Sequence, residues 1–206
     1  MIDLYTYDTS NGQRAAVVLD ECALAYRTHR IDLMKGEQRS PAFLAVNPAG
    51  AIPVIVDPDG PGGEPLTLAQ SGAIVIYLAE KTGRFLPRDP GRRALTMQWL
   101  MFAVSDCAAA SGMIFLESVL LPAKFPANLV FCEQRMLRYF RVADARLAGR
   151  DWIADELTIA DFALYPVCVV RRKLIDAAGD LPHLARWMAA LDARPGVRQG
   201  MSAAAA

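Results

Sequence analysis

"YTYDTSNGQRAAVVLDE", residues 5–21, decides the reading of the fold. Residues 2–7 alternate as a strand. A polar knot, "DTSNG", follows, and then apolar positions Ala16, Val17, Leu19, Ala23 and Leu24 recur at helical spacing, so a helix is expected over Gln13–Tyr26. Two readings of the knot stay open. Thr9, Ser10 and Asn11 are all good N-cap residues, whose side-chain oxygens accept from the unpaired amides of a first turn. A helix N-terminus at the carboxyl end of a strand also offers free N–H groups and a positive dipole end, which suit an anionic ligand.

Working outward, "THRIDL" (28–33) reads as a second strand, so the chain opens β-α-β, a unit that gives a right-handed crossover and a parallel pair. "SPAFLAVNPAG" (40–50) starts a short helix, with Ser40 at the cap and Pro41 at the first helical position, and stops at the turn signal "NPAG". "AIPVIVD" (51–57) and "PLTLA" (65–69) flank the loop "DPDGPGGEP" as an antiparallel pair. "QSGAIVIYLAEKTG" (70–83) reads as a helix capped by Ser71 and stopped by Gly83. Beyond the Pro- and Arg-rich "RFLPRDPGRR" only helical patterns remain, broken at "LLPAKFPANL", "LAGRDWIADELT", "AAGDLPH" and "ARPGVRQG"; the terminal "MSAAAA" is expected to fray. The expected class is therefore α/β plus all-α. Residues 1–83 form a βαβαββα domain with a mixed four-stranded sheet, 84–91 a linker, and 92–206 a helical domain.

Composition narrows the partners. Of 206 residues, 53% are apolar and 21% charged, enough to fill a core and unlike a disordered chain. Lys plus Arg equals Asp plus Glu at 22 each, so nothing steers the chain toward nucleic acid or an anionic membrane. No apolar run is read as reaching the roughly 18 to 20 residues that span a bilayer. "MIDLYTYD" shows no basic leader, so no signal peptide is expected and a cytoplasmic location is. Cys22, Cys107, Cys132 and Cys168 are scattered, without a CxxC pair, and read as free thiols. With only His29 and His183 besides, no metal site is expected.

Three spots in the α/β half converge if this topology holds: Thr9-Ser10-Asn11, "AIPV" (51–54) and "QSGAI" (70–74). Pro53 heads a strand. Either it is an ordinary trans proline, or a cis Ile52-Pro53 bond aims the Ile52 backbone outward to pair with an extended peptide. Ser71 could hold an anionic group through its hydroxyl and N–H, and Gln70 an amino-acid head, or Ser71 is a plain cap.

"NPAGAIPVIVD" followed by "QSGAIVIYLAEKTG" resembles the glutathione transferase fold. The opening "MIDLYTYDTSNGQRAAVVLDE" resembles its bacterial Nu-type branch, and "LTIADFALYP" (157–166) resembles the capping box of the family's second domain, with Thr158 and Asp161 in the S/T-x-x-D pattern. The likeness spans residues 1 to about 195. It implies a thioredoxin-like first domain that binds glutathione as co-substrate, without a metal. It implies a cis bond before Pro53, with Ile52 pairing the cysteine part. Gln70 and Ser71 would hold the γ-glutamyl head, Gln38 and Arg39 the glycine end, and Thr9 and Asn11 would sit beside the sulfur. The implied activity is disulfide-bond reduction by glutathione thiolates, with no protein cysteine. Conjugation to an electrophile, the detoxification chemistry, is the alternative, and a non-catalytic binding protein a third. A homodimer through helices near 65–120 is also implied.

The sequence departs from that pattern in two places. Gln70 stands where the family carries Glu, which removes a charge facing the glutathione ammonium. Ser10 stands where Nu-type members carry Pro, making it a rival hydroxyl for the sulfur. Tyr7, like Tyr5, reads as packing. The co-substrate, a disulfide or hydrophobic small molecule, is expected against the helix "MQWLMFAVSDCAAASGMIFL". Trp99, Phe102 and Met113 there read as core, and Cys107 as a thiol open to a mixed disulfide. Arg135 is the candidate basic residue of the second domain.

Overall fold

Ile2, Leu4 and Thr6 are buried while Asp3 and Tyr5 between them are half-exposed, the alternation of a strand with one face on a core (β1, Ile2–Thr6). The computed structural model describes residues 1–205. After β1 come α1 (Ser10–Glu21), β2 (Tyr26–Arg30), α2 (Pro41–Val46), β3 (Val54–Asp57), β4 (Leu66–Ala69) and α3 (Ser71–Thr82). The sheet is four-stranded in the order β2-β1-β3-β4; β1 runs parallel to β2 and antiparallel to β3, and β3 antiparallel to β4. This is the mixed βαβαββα sheet expected from the sequence.

α1 and β2 differ from expectation at both ends: α1 starts at Ser10 rather than Gln13, and β2 ends at Arg30 rather than Leu33. α1 stops at Glu21 because Ala23 takes a left-handed φ of 55°, closing the helix through N–H bonds from Ala23 to Asp20 and Leu24 to Leu19. β2 then starts at Tyr26 rather than Thr28, and the Tyr26 hydroxyl donates to Asp20 at 2.7 Å.

The chain forms two units, Met1–Leu86 with the end from Ala193, and Pro87–Asp192. The second contains α4 (Pro90–Met101), α5 (Ala108–Phe115), α6 (Pro126–Leu147), α7 (Ile159–Val170), α8 (Arg172–Ala178) and α9 (Pro182–Asp192). π turns at Phe102–Cys107 and Leu116–Leu120 make Pro90–Leu120 one helical run of 31 residues. Contrary to the sequence expectation, that run is long and apolar enough to cross a membrane by length and composition; Ala108–Ala110 and the aliphatic residues after them raise its mean hydropathy. Its buried face, with Trp99, Leu100, Ala103, Cys107 and Ile114, belongs to the unit's core. α7 opens on the expected capping box. Thr158 caps the helix, and buried Asp161 accepts from the N–H groups of Thr158 (3.0 Å) and Ile153 (2.9 Å) and from Trp187 Nε1 (2.9 Å).

The last helix, α10 (Pro195–Ala205), belongs to the first unit, whereas the sequence boundary placed it in the second and expected its end to fray. It packs on α1. A Cβ at Gly200 would lie 2.4 Å from the Cα of Val17, so only glycine permits that approach. The Arg194 guanidinium grips buried Glu21 in a two-point ion pair, at 2.6 and 3.0 Å.

Candidate functional site

The strand register brings the three sequence spots to one end of the sheet. Tyr5 faces Val54, and Val54 faces Ala69. Just past those pairs the chain leaves the sheet: Tyr7 follows β1, cis Pro53 precedes β3, and Gln70 follows β4 with Ser71 opening α3.

Thr9 caps α1: its Oγ1 accepts from the Gly12 N–H at 3.1 Å, and the same oxygen keeps a proton to donate. Ser10 opens the helix, and Asn11 is exposed at its second position. Gly12 is required here. A Cβ would fall 2.3 Å from both Thr6 Oγ1 and the Tyr7 carbonyl, so any other residue would push the helix off the strand. No acidic residue stands in the first turn, and Asp8, just before it, is held by Gln13 at 2.8 Å. The two tyrosines pack as expected. Tyr5 stacks on His29 with centroids 4.6 Å apart, and Arg30 lies over the Tyr7 ring at 4.7 Å.

The Ile52-Pro53 bond is cis, as the resemblance implied. The turn before it is held by buried Asn47, which donates to the Ala51 carbonyl at 2.7 Å and accepts from the Ala49 N–H at 3.2 Å. At the head of α3 the structure revises one assignment. Ser71 is the first helical residue, and Gln70 occupies the cap position, with φ 73° and ψ 113° and no capping bond from its side chain. A non-glycine residue at such a φ costs about 1–3 kcal/mol and is held only where the surroundings over-determine it. Gln70 is exposed, while Ser71 beside it is buried.

Arg14 was missed. It is fully buried, donating to Asn11 Oδ1 and, at 3.3 Å, to Ser71 Oγ. An arginine on an amphipathic helix reads as solvent-facing. The available signal was its place three residues after Asn11, one helical turn on, which puts both on one face.

Gln38 and Arg39 lie on a 3-10 turn. Gln38 Nε2 reaches the Leu33 carbonyl at 3.4 Å, while its buried Oε1 has no partner among the described residues. The Gln38 carbonyl abuts Gly50, 3.1 Å from where a Cβ would stand, which sets this turn against the loop leading to Ile52. Arg39 is exposed.

In the second unit Cys107 is fully buried in the π turn and so is closed to a ligand, contrary to the sequence expectation. Trp99 and Phe102 are packing residues, ring-edge to ring-face at 5.2 Å, and Phe102 meets Tyr139 likewise at 5.7 Å. A cavity of about 310 Å3 is lined instead by Met113, Glu117, Asn128, Phe131, Cys132 and Arg135, among others. Met113, read as core, thus belongs to a cavity wall, and Arg135 reaches the same wall while donating to the Tyr139 hydroxyl at 3.2 Å.

Residues 10–81 match the N-terminal domain of glutathione S-transferase, and residues 110–195 its C-terminal domain. The disulfide-bond oxidoreductase YfcG of Escherichia coli (strain K12) is 38% identical over 204 residues, covering 98% of this chain and 94% of that protein. The disulfide-bond oxidoreductase YghU of the same organism is 33% identical, over 97% of this chain and 73% of its own length. Among solved structures, a glutathione transferase from Pseudomonas putida, with one glutathione disulfide bound per subunit, superposes with a TM-score of 0.91 at 33% identity, over 97% of this chain and 90% of that one. Sheet order, the cis bond at the head of β3, the capped second domain and full-length similarity agree: this chain belongs to the glutathione S-transferase family.

Proposed function

We propose that this protein is a glutathione-dependent disulfide-bond oxidoreductase whose site is the sheet end carrying Thr9, Asn11, Ile52, Gln70 and Ser71. The observation that carries this reading is the convergence of the N-termini of α1 and α3, joined through Arg14 at the sheet end that cis Pro53 also borders, with no carboxylate in either first turn. Such ends favour anions.

The bound tripeptide lies across that end. The Ile52 backbone pairs with its cysteine residue as an added strand would. Ser71 takes the γ-glutamyl carboxylate and Gln70 its ammonium. Gln38 and exposed Arg39 serve the glycine carboxylate. The sulfur rests by the first turn of α1. A free thiol titrates near about 8.5, so at neutral pH the thiolate must be favoured. The Thr9 hydroxyl, the Asn11 amide and the helix N-terminus supply the donors. Ser10 is the alternative hydroxyl.

The reaction balances without a protein thiol. One glutathione thiolate attacks the substrate disulfide and expels a substrate thiolate, leaving a mixed disulfide. A second glutathione thiolate attacks the glutathione sulfur of that species, releasing the other substrate thiolate and forming glutathione disulfide. Two glutathiones are oxidised, one disulfide is reduced, and the two thiol protons pass to the two leaving thiolates. All four cysteines are buried, and burial pushes Cys22 up and Cys168 well up, so neither is poised as a nucleophile. The cavity at Met113 and Phe131 is the proposed seat of the disulfide co-substrate. Self-association is supported by exposed Met101, Phe115, Val119 and Leu120 along Pro90–Leu120, and a cytoplasmic location by the free thiols.

The test is steady-state turnover of a small model disulfide with reduced glutathione, beside a chlorinated aromatic electrophile, on wild type and on Thr9→Ala, Ser10→Ala and Asn11→Ala. Disulfide turnover lost in Thr9→Ala or Asn11→Ala supports the reading. Loss in Ser10→Ala alone moves the hydroxyl by one residue. Turnover of the electrophile alone makes the protein a conjugating enzyme. No turnover of either, without glutathione binding by calorimetry, leaves a non-catalytic member of the family.

A further inference from the structure

We propose that Arg14 is a positioning residue that turns the donor ends of Asn11 and Ser71 outward to the bound tripeptide, an inference that rests on the site assignment above. Hydrogen-bond valence fixes both orientations. A guanidinium carries five N–H donors and no acceptor. A side chain that meets it must therefore present an acceptor. Asn11 meets it with Oδ1, so the NH2 of the same amide faces away from Arg14. Asn11 is exposed, and with nothing behind it the amide could turn either way. Turned the wrong way, it would present a carbonyl oxygen to a thiolate. Arg14 removes that state.

Ser71 obeys the same rule. Its Oγ accepts from Arg14 at 3.3 Å, which leaves its single proton to donate elsewhere. One buried cation thus sets the polarity of two groups 60 residues apart in sequence, one assigned to the sulfur and one to the γ-glutamyl carboxylate. Arg14 is 0% exposed, with Gly12 seating the first turn of α1 on the strand beside it, so the guanidinium has little freedom to drift. Its charge also adds to the positive end of α1.

The experiment separates orientation from charge and from plain structure. Arg14→Met, Arg14→Lys, Asn11→Ala, Ser71→Ala and Asn11→Ala/Arg14→Met are compared by thermal melting, by the pH profile of kcat/KM for glutathione and by KM for glutathione. In Arg14→Met, the acid limb that reports the bound thiol moves up by about one pH unit, kcat/KM at pH 7 falls about tenfold to thirtyfold, and KM rises about fivefold. The limb in the double variant lies no higher than in Asn11→Ala, because Arg14 acts through Asn11. Lysine, a single point charge, cannot serve both partners. Arg14→Lys therefore restores the limb or KM but not both, and it answers the question should Arg14→Met not fold. A lower melting temperature in every folded Arg14 variant, with an unmoved limb and unmoved KM, overturns the proposal. Full recovery of both by lysine does so as well, because charge alone would then suffice. If Asn11→Ala itself leaves the limb in place, the site assignment fails rather than the role of Arg14.

Discussion

Two threonine caps in this chain do opposite things. Thr158 heads α7 inside a closed box: its hydroxyl accepts from Ala160 at 3.3 Å, while Asp161 takes its N–H and that of Ile153 and is braced by Trp187. Both residues are fully buried. Thr9 heads α1 with its side chain on Gly12 and its N–H on the Tyr7 carbonyl, and the acidic partner of a box is absent: the position that Asp161 holds in α7 is Gly12 in α1. A carboxylate in that turn would occupy the helix's free N–H groups and cancel its positive end. The first helix terminus is sealed by its own side chains, and the second is left open to a foreign anion. The same residue type closes one helix terminus and leaves the other without an acid, and the difference lies three residues downstream.

That comparison can be broken in order of effect. Asp161→Ala strips the partner from three buried N–H groups, so a loss of about 3–5 kcal/mol is expected in urea unfolding, with turnover per folded molecule unchanged. A loss under about 1 kcal/mol would show that the box is ornamental. Asn11→Ala is the mirror case: turnover of the model disulfide falls about a hundredfold, while stability falls by about 1–2 kcal/mol, less than for Asp161→Ala, because one acceptor is taken from the buried Arg14 guanidinium. Thr9→Ala comes next, with about 1 kcal/mol of lost cap together with a loss of turnover. If only stability suffers, the open terminus is a cap like the other.

A second buried carboxylate, Asp57, sharpens the contrast through pH. Burial pushes Asp161 up to about 6 against its donors. Burial likewise raises Asp57, but the Tyr77 hydroxyl at 2.6 Å and the Lys81 ammonium at 3.0 Å outweigh it and hold Asp57 below its ordinary 3.8. A carboxyl that binds its proton less tightly when folded stabilises the fold above its unfolded value and loses that contribution as pH falls. Lys81→Met removes part of the depression. Its stability deficit against wild type is therefore largest near neutral pH and closes on acidification, with an acid midpoint about half a unit higher. A deficit independent of pH would mean that Lys81 acts by packing alone. The smallest effect is Gln70→Glu, which adds, at an exposed position, the charge that the proposed site sets against the glutathione ammonium. KM for glutathione falls about threefold, and the gain shrinks in high salt.

Much of this was legible along the chain. The βαβαββα order follows from hydrophobic period and turn residues, both local. Ser40 and Thr158 announced their helix starts because capping is chemistry between near neighbours, whereas three adjacent cap residues, Thr9, Ser10 and Asn11, left the start of α1 open. The seam of the domains was less legible. "ARPGVRQGMSAAAA" reads as a break and a frayed tail, yet Gly200 lets α10 settle on Val17, and Arg194 finds Glu21. Cys107 looked reachable beside small residues, but helical packing closes over it. Ser71 looked like a cap and turned out to follow one, because the register of β4 places the left-handed residue at Gln70.

The sequence by itself determined which elements form, where most helices begin, and the absence of an acid from the first turn of α1. Those are properties of residues within a few positions of one another, governed by backbone sterics and the reach of a side chain. The tertiary structure alone decided that Arg14 is buried between Asn11 and Ser71 and which end of each group faces the guanidinium. A guanidinium exposed or buried is the same letter in a sequence. Its role depends on a serine 57 residues away, and only the folding of α3 against α1 brings the two within a hydrogen bond.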